Sequence, residues 1–246
     1  MFKNTIFLLF IAFLIPFQGV AQKKTVDKKA KEIIQKCVEV HGGKKYQNFE
    51  VSFDFRQYKV RIKNNNPQFE YERTTQDSLK NTIHDVYDNA GFVRDINGQK
   101  QTLSKKDEDR FREGLNSVAY FVLLPYKLMD VSVNLAHVGT IKIDNQDYDK
   151  IKVWFDVEGG GKDHEDVFCY WINSKTHTLD YLAYANGGPR FRKAMNRKTV
   201  NGIVFQDYEN YEILDKIIPT YEYDKAFLDG KSKLLSKIEQ TNYTSK

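Results

Sequence analysis

The densest group of chemistry-bearing side chains lies in one short stretch, Gly159-Gly160-Gly161-Lys162-Asp163-His164-Glu165-Asp166. Carboxylates and an imidazole this close together are donors suited to a divalent cation, or to general acid and base work in hydrolysis. The spacing limits the first option. In an extended segment His164 and Asp166 share one face while Asp163 and Glu165 take the other, so one ion does not collect all four. No metal is assigned, and His84-Asp85 is the pair that would have to complete such a site from another strand. The three leading glycines give wide backbone freedom, which fits a solvated hairpin tip or a loop that moves to admit a ligand. Gly160, Gly161, Asp163, His164 and Glu165 are therefore the candidate gating loop.

Other motifs fall short of a reaction. Gly159 to Gly161 lead into a strand, whereas a phosphate cradle opens a helix. Gly230-Lys231-Ser232 matches the end of a P-loop, but Lys225 stands where its opening glycine is required. Neither a Gly-x-Ser-x-Gly elbow nor a His-Glu-x-x-His pair occurs. No catalytic residue and no cofactor is assigned, and His41, at the end of a helical pattern, reads as a charge placed near backbone carbonyls. The enzyme reading that survives is a cell-envelope hydrolase or metal-assisted enzyme built on Asp163, His164 and Glu165.

The elements that would position a site follow from periodicity. From Asp27 to His41, Ala30, Ile33, Ile34, Cys37 and Val38 recur at helical spacing, and Gly42-Gly43 supplies the stop. Phe49, Val51, Phe53 and Phe55 then alternate with polar residues, the period of a strand with its rings on one face. Asp88-Asn89-Ala90-Gly91 and Asn97-Gly98 read as hairpin turns. Ser104 caps a second helix that carries Phe111, Leu115, Val118, Ala119 and Val122 and ends near Pro125. Between Val118 and Leu124 the residues are apolar on every side, so this stretch must be enclosed. Strands resume after Val138 as a meander of hairpins, with a short helix from Asp224 to Leu228 and a last strand from Leu234 to Asn242. In one strand Val167, Cys169 and Trp171 lie on one face and Phe168, Tyr170 and Ile172 on the other, so both faces must be covered. The expected core includes Cys37 and Cys169, read as small buried residues with a disulfide between them as the alternative.

Length and composition set the outer bounds. The 246 residues are 41% hydrophobic and 14% aromatic, which supports a packed core and excludes a disordered or collagen-like chain. Two cysteines exclude a disulfide scaffold. Lys3 precedes an apolar run from Ile6 to Phe17, and Gly19-Val20-Ala21 offers small residues for cleavage, so residues 1–21 are expected to be a signal peptide and 22–246 one exported domain. The run is shorter than the roughly 20 apolar residues needed to cross a bilayer. Cleavage removes Lys3 and takes the formal charge from +5 to +4. The basic clusters, at Lys23 to Lys31 and at Arg190, Arg192, Lys193, Arg197 and Lys198, read as solvated charge, with attraction to an anionic membrane surface as the alternative. No pattern of interleaved basic and aromatic residues points to nucleic acid.

The order of an N-terminal helix ending His41-Gly42-Gly43, an aromatic strand, hairpins, an enclosed helix and a run of strands resembles the LolA/LolB-like fold of periplasmic lipoprotein carriers. Four strings, His41-Gly42-Gly43, Phe69-Glu70-Tyr71-Glu72-Arg73, Gly159 to Phe168 and Asn201 to Tyr208, resemble an uncharacterised family of secreted proteins from Gram-negative bacteria. The resemblance implies an α+β fold in which a curved antiparallel half-barrel is closed by helices over a cavity suited to acyl chains. The function expected on that basis is periplasmic or secreted binding of an apolar or lipid-like small molecule without covalent chemistry, with an envelope membrane surface or a lipoprotein as a further partner. Phe53, Phe55, Tyr71, Phe121, Tyr170, Trp171 and Tyr184 are the residues expected to line the cavity.

Overall fold

The structure is a computed structural model that describes residues 27–158, 166–215 and 217–245. The expected signal peptide, residues 1–21, and the expected gating positions Gly160, Gly161, Asp163, His164 and Glu165 lie outside the described residues.

Polar and apolar residues alternate along β1 (Asn48–Phe55), and the structure buries every second side chain, Phe49, Val51, Phe53 and Phe55. The chain then folds back repeatedly through β2 (Tyr58–Asn65), β3 (Gln68–Gln76), β4 (Thr82–Asp88), β5 (Gly91–Ile96) and β6 (Gln99–Lys100), each antiparallel to its predecessor. Asn97 and Gly98, both left-handed at φ 53° and 78°, close the tight turn that the sequence marks. A second meander runs β7 (Val133–Ile143), β8 (Gln146–Phe155), β9 (Phe168–Asn173), β10 (Leu179–Tyr184), β11 (Arg190–Val200), β12 (Ile203–Ile213) and β13 (Ser232–Ile238). The final strand, β14 (Gln240–Ser245), pairs with β1 in the first sheet. The result is an α+β fold of two seven-stranded antiparallel sheets that form a curved half-barrel closed by helices.

The single last strand expected from Leu234 to Asn242 is two strands. Ile238 pairs with Tyr208 of β12 and Gln240 with Phe55 of β1, so the chain changes sheet at Glu239. Gln240 fixes this corner, its backbone N–H donating to Asp207 Oδ1 at 2.8 Å and its side chain to the Gln206 carbonyl at 2.9 Å. Apolar periodicity does not register such a corner, because the polar Gln240 is itself buried, at 1% exposure.

Two helices fill the mouth. Helix α1 (Lys28–His41) turns Ala30, Ile34 and Cys37 inward, and its cap Asp27 accepts the Lys29 and Ala30 N–H groups at 2.9 and 3.3 Å. The same carboxylate accepts the His137 N–H at 2.8 Å, pinning the helix start to β7. Helix α2 (Lys105–Val122) starts at Ser104, whose hydroxyl accepts the Asp107 N–H, and buries Leu115, Ala119 and Val122. From Val118 to Leu124 no residue is exposed, Ala119 and Val122 to Leu124 being buried and Val118, Tyr120 and Phe121 half-buried, while Ser117 is exposed.

Both faces of β9 are covered, as the alternation requires. Tyr170 and Ile172 belong to the main core between the sheets and α1 and α2, while Cys169 and Trp171 belong to a second core on the convex side. That second core is covered by a 3-10 turn at Thr220–Glu222 and α3 (Tyr223–Leu228), which the sequence reading did not use as a cover. Cys37 and Cys169 are free thiols in different cores, on opposite sides of the sheet, so no disulfide joins them.

The candidate cavity and its arginines

Strand pairing decides which side chains meet inside the half-barrel. Tyr184 lies opposite Arg190 and pairs on its other edge with Phe168; Leu182 lies between Arg192 and Tyr170. These registers put Phe168 and Tyr170 of β9, Leu182 and Tyr184 of β10 and Arg192 of β11 on one concave face. Across from them α2 presents Val118 and Phe121, and the β1–β2 turn presents Phe55 and Arg56. Between the walls lies a half-open cavity of about 700 Å³. That is within the range of roughly 300–1,000 Å³ usual for small-molecule sites. The rings along its wall are in contact with one another, at 5.8 Å for Phe155 and Phe168, 6.0 Å for Phe168 and Tyr184 and 6.5 Å for Phe168 and Tyr170.

Of the seven residues expected at a cavity, Phe55, Phe121, Tyr170 and Tyr184 are brought together around this one. The other three are elsewhere. Phe53 packs on Tyr243 at 5.5 Å in the main core. Tyr71 packs on Phe69 and Tyr87, with the Lys127 ammonium 6.0 Å from its ring. Trp171 points to the convex side, where its indole N–H donates to Asp224 Oδ2 at 3.0 Å. For Trp171 the cause is parity: it follows Tyr170 in an extended strand and must face the other way.

Arg192 and Arg56 are the two arginines of the cavity; in the sequence Arg192 reads as solvated charge and nothing marks Arg56. Arg192 is half-buried and lies over two lining rings, its guanidinium carbon 4.8 Å from the Phe121 centroid and 4.9 Å from that of Tyr184. It donates from Nη2 to the Tyr184 hydroxyl at 2.5 Å and from Nε to Asn210 Oδ1 at 3.3 Å. Burial lowers its pKa, and the nearby Arg56 lowers it further. The signal for it was alternation combined with coverage: Phe191 and Arg192 take opposite faces, and both faces of this sheet are covered. At the rim Lys127 pairs with Asp130 at 3.2 Å, and Asn186 donates to Asp166 Oδ2 at 2.8 Å.

The other candidates resolve differently. His84 and Asp85 face opposite sides of β4, so they do not contribute to one site. His84 sits between Asp95 Oδ2 at 3.0 Å and Glu72 Oε2 at 3.3 Å on the outer face, beside Arg61 and its partners Glu50, Glu70 and Glu72. Asp85 is buried and holds Arg73 and Arg94, each at 2.6 Å. His41 is buried and carries no charge at neutral pH: burial pushes its pKa down to about 4, and its Nε2 accepts the Leu179 N–H at 3.2 Å. Among the described residues no group of three or more His, Cys, Asp and Glu could hold a metal ion.

The fold is similar to that of a LolA superfamily protein from Nitrosomonas europaea, at 9% identity and a TM-score of 0.51, over 87% of this chain and 92% of that one. A DUF1329 family protein from Desulfovibrio piger matches over the same shares at 10% identity and a TM-score of 0.38. Lipoprotein LppX from Mycobacterium tuberculosis matches over 65% of this chain and 88% of its own, at 13% identity and a TM-score of 0.30. No curated protein matches the chain. Among the described residues no helix is long and apolar enough to cross a membrane. By sequence, the model of a family of unknown function, DUF6503, matches residues 4–240, and the chain belongs to that family.

Proposed function

We propose that this protein is a periplasmic or secreted carrier that shelters an apolar or lipid-like small molecule in the cavity between the curved sheet and α2, with no covalent chemistry. The observation that carries this reading is a 700 Å³ space walled by Phe55, Phe121, Phe155, Phe168, Tyr170 and Leu182. Burying an acyl chain there gains about 0.8 kcal/mol per methylene, so a chain of modest length is held firmly without any reaction. The LolA-like architecture, which in periplasmic carriers suits acyl chains, supports the same reading, and a membrane surface or a lipoprotein would then be the source of the ligand. Export would follow from the segment Lys3 to Ala21, read as a cleaved leader. The direct test is mass spectrometry of the small molecules that copurify with the native protein, followed by uptake of a fluorescent fatty acid by the delipidated protein. Failure of every apolar probe to bind would overturn the proposal.

A further inference from the structure

We infer that the cavity's ligand is an amphiphile whose single anionic end group, a carboxylate or a phosphate, is seated on Arg192 with Arg56 beside it. This deepens the carrier reading and rests on it. The argument is one of unbalanced charge. Elsewhere this fold gives its buried cations a carboxylate: Arg73 has Asp85 at 2.6 Å, and Lys150 has Asp224 at 3.0 Å. Arg192 has none within ion-pair distance among the described residues. A guanidinium presents five N–H donors in a planar fork. Two are used, on Tyr184 and Asn210, both uncharged acceptors.

The charges around the cavity do not supply the missing partner. Among the described residues Lys127 and Asp130 pair with each other, and Asp166, the other carboxylate of the lining, accepts from the Asn186 amide and forms no ion pair with Arg192. Arg56, exposed at the β1–β2 turn, lines the same cavity with its guanidinium carbon 5.5 Å from the Phe55 ring centroid, and its charge acts on Arg192. The exposed Arg56 and the half-buried Arg192 repel each other, and a carboxylate or phosphate on Arg192 relieves both that repulsion and its unused donors. The ring walls then take the apolar tail. Tyr184 serves the head as well, since its hydroxyl fixes the direction of the Arg192 fork.

The test uses the delipidated full-length protein at pH 8 and the displacement of bound Nile red, an uncharged probe. Hexadecanoate, hexadecyl phosphate, 1-hexadecanol and inorganic phosphate are the competitors. Hexadecanoate or hexadecyl phosphate is expected to displace the probe at a concentration at least about tenfold below that of 1-hexadecanol. Arg192→Gln should remove that preference, so that the anions and 1-hexadecanol displace the probe from the variant at the same concentration, and Arg192→Lys should keep part of it. Which anionic amphiphile binds more tightly identifies the head group. Equal displacement by the alcohol and the anions in the unaltered protein overturns the inference, and this comparison holds even if the variants fail to fold. Equal effect of inorganic phosphate also overturns it, because the site would then serve a free anion. A protein that takes up neither Nile red nor any hexadecyl compound overturns the carrier reading itself, a separate outcome.

Discussion

On its convex side the second sheet packs Trp171, Tyr181 and Phe191 against Phe227 of α3, with ring centroids 5.0 to 6.3 Å apart and no open space between them. On its concave side, one residue away along the same strands, Phe168, Tyr170 and Tyr184 stand 6.0 to 6.5 Å apart and look across an open space. Each side also encloses a cation. Lys150, 7% exposed, is satisfied by Asp224 and by the Tyr221 carbonyl at 2.8 Å, whereas among the described residues Arg192 hydrogen-bonds only to the uncharged Tyr184 and Asn210. The same backbone thus carries a finished interior and an unfinished one. An open space and a half-buried cation without a carboxylate among the described residues occur together on the concave face, and that coincidence marks it as a place for something not encoded in the chain.

The contrast breaks most severely at Asp224. This carboxylate is fully buried and holds both the Lys150 ammonium and the Trp171 indole N–H. Asp224→Ala leaves an uncompensated buried cation and is expected to cost about 3–5 kcal/mol of stability. Urea unfolding measures it, and a loss below about 1 kcal/mol would mean that the convex side is not the finished interior described above. Two substitutions on one strand then sharpen the comparison. Trp171→Ala opens a cavity in the packed core and should cost about 3–5 kcal/mol, while Phe168→Ala, at a half-exposed wall, should cost about 1–2 kcal/mol. Nile red binding should follow the reverse order, weakened by Phe168→Ala and nearly untouched by the tryptophan change in whatever fraction remains folded. Equal stability losses would erase the distinction between the faces.

Much of this arrangement was legible in the sequence, and the exceptions share a cause. Alternation in Phe49 to Phe55 and in Val167 to Ile172 is a local property, so the strands and the double coverage of β9 could be read directly. The caps at Asp27 and Ser104 are local as well. What lies on the second face depends on which distant segment returns to it, and nothing near Trp171 announces α3 some fifty residues later. Trp171 is expected at the cavity together with Tyr170, although their parity forbids the two from sharing a face. Arg192 was misplaced for the complementary reason: inside Arg190-Phe191-Arg192-Lys193 it looks like surface charge, and only the registry of β11 with Leu182 turns it inward. The corner at Glu239 escaped because a buried glutamine, not an apolar residue, makes it.

His41 offers a third way of burying a base, by discharging it. The unfolded chain binds a proton at the ordinary histidine pKa near 6.5, while the folded chain does so only near 4. Between these values the unfolded state holds more protons, so stability is intact above pH 6.5 and falls as the pH drops toward 4. The expected loss from this group is about 2 kcal/mol between pH 7 and pH 5. Unfolding curves at the two pH values, compared with those of His41→Gln, isolate it. A variant that loses as much stability as the unaltered protein over this range would assign the effect to other groups.

The smallest effect on stability, and the most telling for the comparison, belongs to Arg192→Met. In a finished interior, removing one half of a charge pair is costly because the other half stays behind; here no carboxylate partner would be left behind. The substitution gives up the hydrogen bonds to Tyr184 and Asn210 but also removes a half-buried cation and its repulsion with Arg56. These terms nearly offset, and replacing buried ionic groups by apolar ones of similar volume is often neutral or stabilising. The delipidated Arg192→Met protein should therefore unfold within about 1 kcal/mol of the unaltered one, on the stabilising side. A loss of 3 kcal/mol or more, matching Asp224→Ala, would show that Arg192 is a structural cation with a structural partner, and the two faces would then differ in their packing alone.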